Sequence, residues 1–522
     1  MRPGWTILAL CLTLAAPAAA QPAPDAGEVH FANSGAASAQ ASFLRGLALL
    51  HDFEYPRAAA AFREAQAADP GFAMAYWGEA MTYNHPVWME QDLVAARGAL
   101  ARLGPTPEAR AAKARTARER DYLATVETLY GEGQKNARDF QYADAMAALH
   151  ARYPDDVDAT AFYALSLLGT SHQGRDFATY MKSAALLEEV YPTHLRHPGV
   201  LHYLIHSYDD PIHAPLGLRA ANRYGAVAPD APHALHMTSH IFVAMGMWDE
   251  VIAANRRAME VLNGARARRN LPPQGCGHYP NWLMYGYLQE GRDADARATL
   301  AACRATAMAE LGRATDDPDP DHSALGSYDE MRLMQAVETG RWDSSQDLTA
   351  PHGSPSAGLR AAYGRAITAL RTGDLRGLQA SSASLVAFQA AQAAANAAAG
   401  RTPDRVYDGS AAIIADQMSA AARLRGGDVD GGLAALRKTA EAEVAMPMEF
   451  GPPVVNLPTW ELLGDELLRL RRAPEAIEAY RNALARAPGR TRSLQGLLKA
   501  QEMAGSTTGA AATRAELARY PR

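Results

Sequence analysis

Two histidine pairs at H-x-x-x-H spacing, His202/His206 and His236/His240, are the residues of this chain best suited to chemistry. They lie in the stretch from His197 to His240, which holds seven of the sixteen histidines. Neutral imidazole is the commonest protein ligand for zinc, copper, iron and nickel. Residues four apart share one face of a helix, so each pair can offer two nitrogens to one ion. Asp209 continues the face of the first pair and would complete a two-histidine, one-carboxylate set of the kind that leaves positions open for substrate. His233 joins His236 and His240 on the second face. Five or six histidines exceed the needs of one ion, so a dinuclear centre is one outcome. The other readings are an unmetallated imidazole-lined groove for an anionic or aromatic ligand, and ordinary hydrogen-bonded core histidines.

The elements that must position these residues are repeats. Each member of the first pair precedes its counterpart in the second by 34 residues, the period of a helix-turn-helix unit. Near the C-terminus, Trp460, Leu463, Gly464, Ala476, Tyr480, Ala483 and Pro488 fall at W-x2-L-G…A-x3-Y-x2-A-x4-P. Ala58, Phe62, Ala65 and Pro70 repeat the second half of that spacing near the N-terminus, with Gly46 at the small-residue position. These segments resemble tetratricopeptide repeats (TPRs), and the unit after Thr491 degenerates as a capping repeat should. The expected fold is all-α, an α-solenoid of roughly eight to eleven helix pairs. No segment alternates as a strand.

With Pro229 and Pro488 set at the same repeat position, His202 and His206 become the fifth and ninth residues of one first helix, and His236 and His240 those of the next. The TPR resemblance implies that such positions line a concave groove. Packed helices lie about 8–10 Å apart, close enough for the two sets of imidazoles to face one another across one pocket. The metal ligands expected are therefore His202, His206, Asp209, His236 and His240, with His233, His213, His278 and His172 as further candidates. Asp209 and Asp210 are the carboxylates available as general bases, and Tyr285 aligns with His240 when His278 is aligned with His233. His51 and His85 are also 34 apart but fall near the ends of their helices, outside any site assignable by register. His150, His194 and His352 read as core histidines. Glu461 and Asp465 read as a solvated helix face; together with Glu449 they would approach the histidines only if the superhelix curled back.

Composition bounds the remainder. The formal charge is -6 with basic and acidic residues interspersed, which points away from nucleic acid. Residues 1–20, MRPGWTILALCLTLAAPAAA, read as a cleaved secretory signal, too short in its apolar run to span a bilayer. Its removal leaves 50 basic against 57 acidic residues and two cysteines, Cys276 and Cys303, either a disulfide or two packing thiols. The expected organisation is a flexible segment at 21–36, an N-terminal array at 37–315, a DDPDPDHS linker at 316–323 and a C-terminal array at 324–522.

AMAYWGEAM with His85-Pro86, HPGVLHYLIHSYDDP with His213, HALHMTSHIF, and EFGPP followed by ELLGDELL together resemble a group of exported bacterial TPR proteins. The resemblance implies a repeat fold and a periplasmic or secreted location, and leaves the chemistry to the residues. No serine or cysteine nucleophile motif, phosphate loop or dinucleotide fingerprint is present. Two functions follow. One is a protein holding a transition metal (zinc, copper or iron) in its groove, with a small-molecule or peptide ligand beside it. The other is a TPR scaffold that binds a peptide or envelope protein without metal.

Overall fold

The computed structural model describes residues 25–311, 323–348 and 355–520. The signal-like stretch, most of the 316–323 linker and His352 lie outside them. Among the described residues the chain forms 24 α-helices and one scrap of sheet, Asn84–His85 paired with Glu90–Gln91. No described helix is long and apolar enough to cross a membrane.

The repeat rests on a recurring glycine–aromatic–glycine contact. The Phe62 ring is fully buried between Gly46 and Gly78, where an added Cβ would come within 2.9 Å and 2.3 Å of it. At the other end Tyr480 sits between Gly464 and Gly496, with Cβ approaches of 2.8 Å and 2.2 Å. In each case the aromatic lies 16 residues from both glycines. The ring of a second helix thus fills the space left bare on its own first helix and on the first helix of the next unit. Each helix packs chiefly on its chain neighbours, and first helices of adjacent units also touch, as Pro198–Tyr208 does Pro232–Ala244. The protein is an all-α, TPR-like solenoid.

The solenoid curls back on itself. One apolar core runs from Ala26 to Met334 and a second from Leu333 to Ala500, and the first also takes in Leu494 and Tyr520 from the far end of the chain. Trp248 donates to the Gly489 carbonyl at 3.0 Å, Tyr520 to the Gly246 carbonyl at 2.9 Å, and Thr491 bonds Gln289 through backbone and side chain. The first helix, Ala37–His51, also reaches Pro198–Tyr208. Cys276 and Cys303 form a disulfide that ties the approach to His278–Gln289 onto Asp293–Leu311.

The adjoining repeat overturns the reading of Glu461 as a solvated side chain. It is fully buried and receives Arg490 at 2.7 Å together with Arg492 and Ser493, while Asp465 takes Tyr480 Oη at 2.6 Å. Arg490 is almost wholly buried and also donates to Tyr285 Oη at 3.3 Å. The acids serve the seam between the two ends of the superhelix.

The glycine–aromatic contact makes a testable demand. Gly78→Ala gains about 1 kcal/mol of helix propensity, but the overpacking against Phe62 costs about 1–3 kcal/mol and should win. We expect a lower denaturation midpoint for Gly78→Ala, and for Gly78→Ala/Phe62→Leu a smaller loss than the sum of the two single changes, read by thermal or urea unfolding. Additive losses would show that the two residues do not press on one another.

Candidate metal centre

Two short helices carry the site, and each begins at a proline. Pro198–Tyr208 and Pro232–Ala244 have their proline in the first helical position, where the missing N–H is not needed. His197 caps the first helix by accepting the Val200 N–H at 3.3 Å. Every residue of both helices is buried, which places them at the centre of the molecule rather than on a face. From these starts, His202 and His206 are the fifth and ninth residues of one helix and His236 and His240 those of the other.

The imidazoles form two trios. In the first, ligand nitrogens of His202, His206 and His233 all lie within 4.8 Å of one another, and in the second so do those of His236, His240 and His278. The trios touch through His206 and His240, whose ring centroids are 5.5 Å apart. His233 and His278, second-rank candidates on sequence, are full members.

Asp209 joins the trios without belonging to either. Its carboxylate accepts His240 Nδ1 at 2.8 Å, lies 3.4 Å from His206 Nδ1, and is clasped from the other side by Arg175. Burial pushes this carboxyl up, but Arg175 and the bonds from His206 and His240 outweigh burial and hold it far below the usual carboxylate range. It stays ionised and can only accept. Asp209, His206 and His240 also lie close enough to surround an ion, but the adjacent guanidinium disfavours a cation there. The carboxylate is better placed to orient two ligands than to be one, in the manner of the carboxylate–histidine–metal pairing.

Two of the remaining Nδ1 atoms have acceptors of their own. His202 Nδ1 donates to the His51 carbonyl at 2.6 Å, and His236 Nδ1 to Asn255 Oδ1 at 2.7 Å. The Asn255 orientation is set because its Nδ2 donates to the Val251 carbonyl at 2.9 Å. With Nδ1 protonated, the lone pair of each ring is at Nε2. His236 Nε2 and His240 Nε2 face each other at 3.2 Å, two acceptors with no proton between them. Nε2 of His202, of His206 and of His233 is buried with no hydrogen-bond partner at all. Burial, reinforced by the neighbouring imidazoles, drives His202, His233 and His236 well below their ordinary pKa, and burial brings His240 down to about 4 despite the Asp209 bond.

The other candidates fall outside this centre. Asp210 is buried in the turn, where it accepts the Ile212 and His213 N–H groups at 2.9 and 3.1 Å and the His213 ring at 2.8 Å. That capping role explains both residues and leaves Asp210 no approach as a base. His172 bonds Asp139 at 2.8 Å beside Phe140. Tyr285 stands edge-on to Trp248 and is held by Arg490, so the alignment with His240 carries its ring to the seam and not to the imidazoles. His150 and His194 are hydrogen-bonded, to Thr160 and to the Val190 carbonyl, but half-buried rather than in the core.

Several contributors were outside the reach of register. His51 does meet the centre, through its backbone carbonyl. Its ring is fixed beneath by Asp158 at 2.9 Å and Tyr203 at 2.9 Å, and Gly199 leaves room for it. Trp282 and Phe450 stack on the His240 ring at 4.5 and 4.7 Å, Phe450 arriving on the Pro/Gly-rich loop 446–458. On the same loop Glu449 does approach, and burial lifts its carboxyl to about 7 against the pull of Arg175. A cavity of about 890 Å³ opens beside the trios, with His233, His278, Glu449, Phe450 and also His85 in its wall.

No protein-family model matches the chain, and no curated protein matches it in sequence. Among solved structures it is similar to the APC/C heterotetramer Cut9–Hcn1, with TM-score 0.36 and 10% identity over 90% of this chain and 78% of that one. It is also similar to the P58(IPK) TPR domain (TM-score 0.23, 12% identity, 90% and 99%) and to yeast Tom70 (TM-score 0.32, 11% identity, 90% and 96%). These are loose superpositions, and the repeat assignment rests on the chain's own helix packing.

The electrostatics can be checked ring by ring. Between pH 6.5 and about 4 the unfolded chain takes up a proton on His240 and the folded chain does not. That imidazole therefore contributes stability that is full above pH 6.5 and falls by about 1.4 kcal/mol per unit as pH drops through this window. In histidine-¹⁵N NMR of the metal-free protein, the signals lost in His240→Gln should titrate near pH 4 and show an Nδ1–H, bare-Nε2 ring. A midpoint near 6.5 or the opposite tautomer would show that the Asp209 contact is misassigned.

Proposed function

We propose that this protein holds two transition-metal ions in the core of a TPR-like solenoid, one at Nε2 of His202, His206 and His233 and one at the imidazoles of His236, His240 and His278. The observation that carries the reading is the facing pair of bare nitrogens, His236 Nε2 and His240 Nε2, at 3.2 Å. Two buried lone pairs turned on each other repel, and a cation between them, with modest opening of the rings, removes the conflict. The three unpartnered Nε2 atoms of the first trio ask for the same remedy. A buried acceptor left without a donor costs about 1–3 kcal/mol, which a structural core would avoid by using apolar side chains.

The donor set narrows the ion. Three neutral imidazoles suit zinc, copper or iron and leave a coordination position for an exogenous ligand. His278 opens to the cavity, so a ligand can reach the second trio from there. Asp209 and Asn255 supply the outer partners that fix ring orientation, and their loss in such centres typically weakens metal binding by about 10–100-fold. The clustering of six imidazoles in two adjoining trios favours this reading over a scaffold for an extended peptide. The signal-like stretch at 1–20 and the Cys276–Cys303 disulfide support export to an oxidising compartment.

Elemental analysis of the protein loaded separately with zinc, copper and iron and then desalted tests the reading. We expect two tightly held ions per chain with at least one of these metals, one in His202→Ala and in His236→Ala, and none in the double variant. Asp209→Asn should weaken both sites. Less than about one ion per chain for every metal, or no loss in the variants, would overturn the metal centre and leave a repeat scaffold.

A further inference from the structure

The cavity beside the trios has a wall chemistry of its own. Phe53 stacks on Tyr55 at 5.2 Å and Tyr55 on His85 at 4.1 Å, with Trp88 edge-on to both Phe53 and His233. Trp282 and Phe450, both stacked on His240, contribute a second set of aromatic surfaces to the lining. At about 890 Å³ the space suits a small molecule.

The charged lining is mostly acidic. Glu90, Glu330 and Glu449 contribute carboxyl groups against a single guanidinium, Arg360, which already bonds Ser356. An anion entering this space would meet excess negative charge. A neutral ring would fill the aromatic space and leave the carboxylates bare. A cation bearing N–H groups satisfies both sets of groups, since it donates to carboxylate oxygens and is attracted to ring faces.

We infer that the cavity binds a small organic amine in its protonated form, with an aromatic body between the ring-lined walls and its ammonium group on the carboxylates Glu330 and Glu449. The position of this ligand beside the metal centre rests on the reading above, but its chemical class is argued from the cavity wall.

Calorimetry and tryptophan fluorescence on the full chain, metal-free and metal-loaded, with phenethylamine, phenylacetate and phenethyl alcohol as probes, test the inference. We expect the amine to bind about tenfold or more tighter than the acid or the alcohol, and Glu330→Gln and Glu449→Gln each to lose about tenfold for the amine alone. Circular dichroism on the same samples confirms that the variants are folded. Equal or tighter binding of the acid or the alcohol, or no binding of the amine in either state, overturns the proposal. Metal content measured in parallel separates the two readings: two ions without amine binding sinks only the amine site, and amine binding without ions sinks only the metal centre.

Discussion

The centre depends on one buried carboxylate. Asp209 is the point at which both histidine helices and Arg175 meet, and it is almost wholly buried. A lone carboxylate in such a place would protonate; the guanidinium keeps it charged, and the charge in turn keeps a proton on His240 Nδ1. Tautomer, ring orientation and the direction of the bare nitrogen all follow from that ion pair. Removing one member of a buried pair typically costs about 3–5 kcal/mol, because the other is left uncompensated. Arg175 is therefore as much a part of the centre as any imidazole, although it touches none of the Nε2 atoms.

The fold supplies the enclosure that this electrostatics needs. A regular solenoid offers an open concave face, where water would screen Asp209 and solvate the imidazoles. Here the terminal repeats return to the middle of the chain, and the contacts of Arg490, Thr491 and Tyr520 hold the seam. The loop 446–458 then lies against the histidines. Gly451 has φ +93°, and a Cβ there would fall 2.3 Å from the Trp282 ring, so the loop can approach the indole that stacks on His240 only because this residue is glycine. Closure of the array and burial of Asp209 go together.

Local spacing carried much of this into the sequence. The 16-residue steps about Phe62 and Tyr480, the 34-residue offset of the histidine pairs and the prolines that start both helices are all short-range signals, and they yield the repeat fold and the facing of the two faces. His278 was legible through the same register. What was not legible depends on contacts between distant units. The His51 carbonyl reaches His202 across 151 residues, and Phe450 reaches His240 only after the superhelix has turned back. The same turn takes Tyr285 to Arg490. Glu461, which within its own helix looks like any exposed acid, is taken up by Arg490, Arg492 and Ser493 at the start of the next repeat. Register sets the face on which a side chain lies. It does not determine what the rest of the chain brings to that face.

The two trios are also where the chain departs from its own packing rules. Elsewhere the core is built from alanine, leucine and glycine fitted around aromatic rings, and each such choice agrees with the helix it sits in. At the centre, buried imidazoles occupy positions that leucine or phenylalanine would fill at lower cost, and burial beside like neighbours holds His202, His233 and His236 well below the ordinary histidine pKa. The orienting partners run in the same sense: an amide, a carbonyl and a carboxylate each take a proton from Nδ1, and none serves an Nε2 atom. Random burial of histidines would satisfy some nitrogens of each kind. In His202, His236 and His240 the Nδ1 side meets a protein acceptor, while the Nε2 side meets no group other than an imidazole.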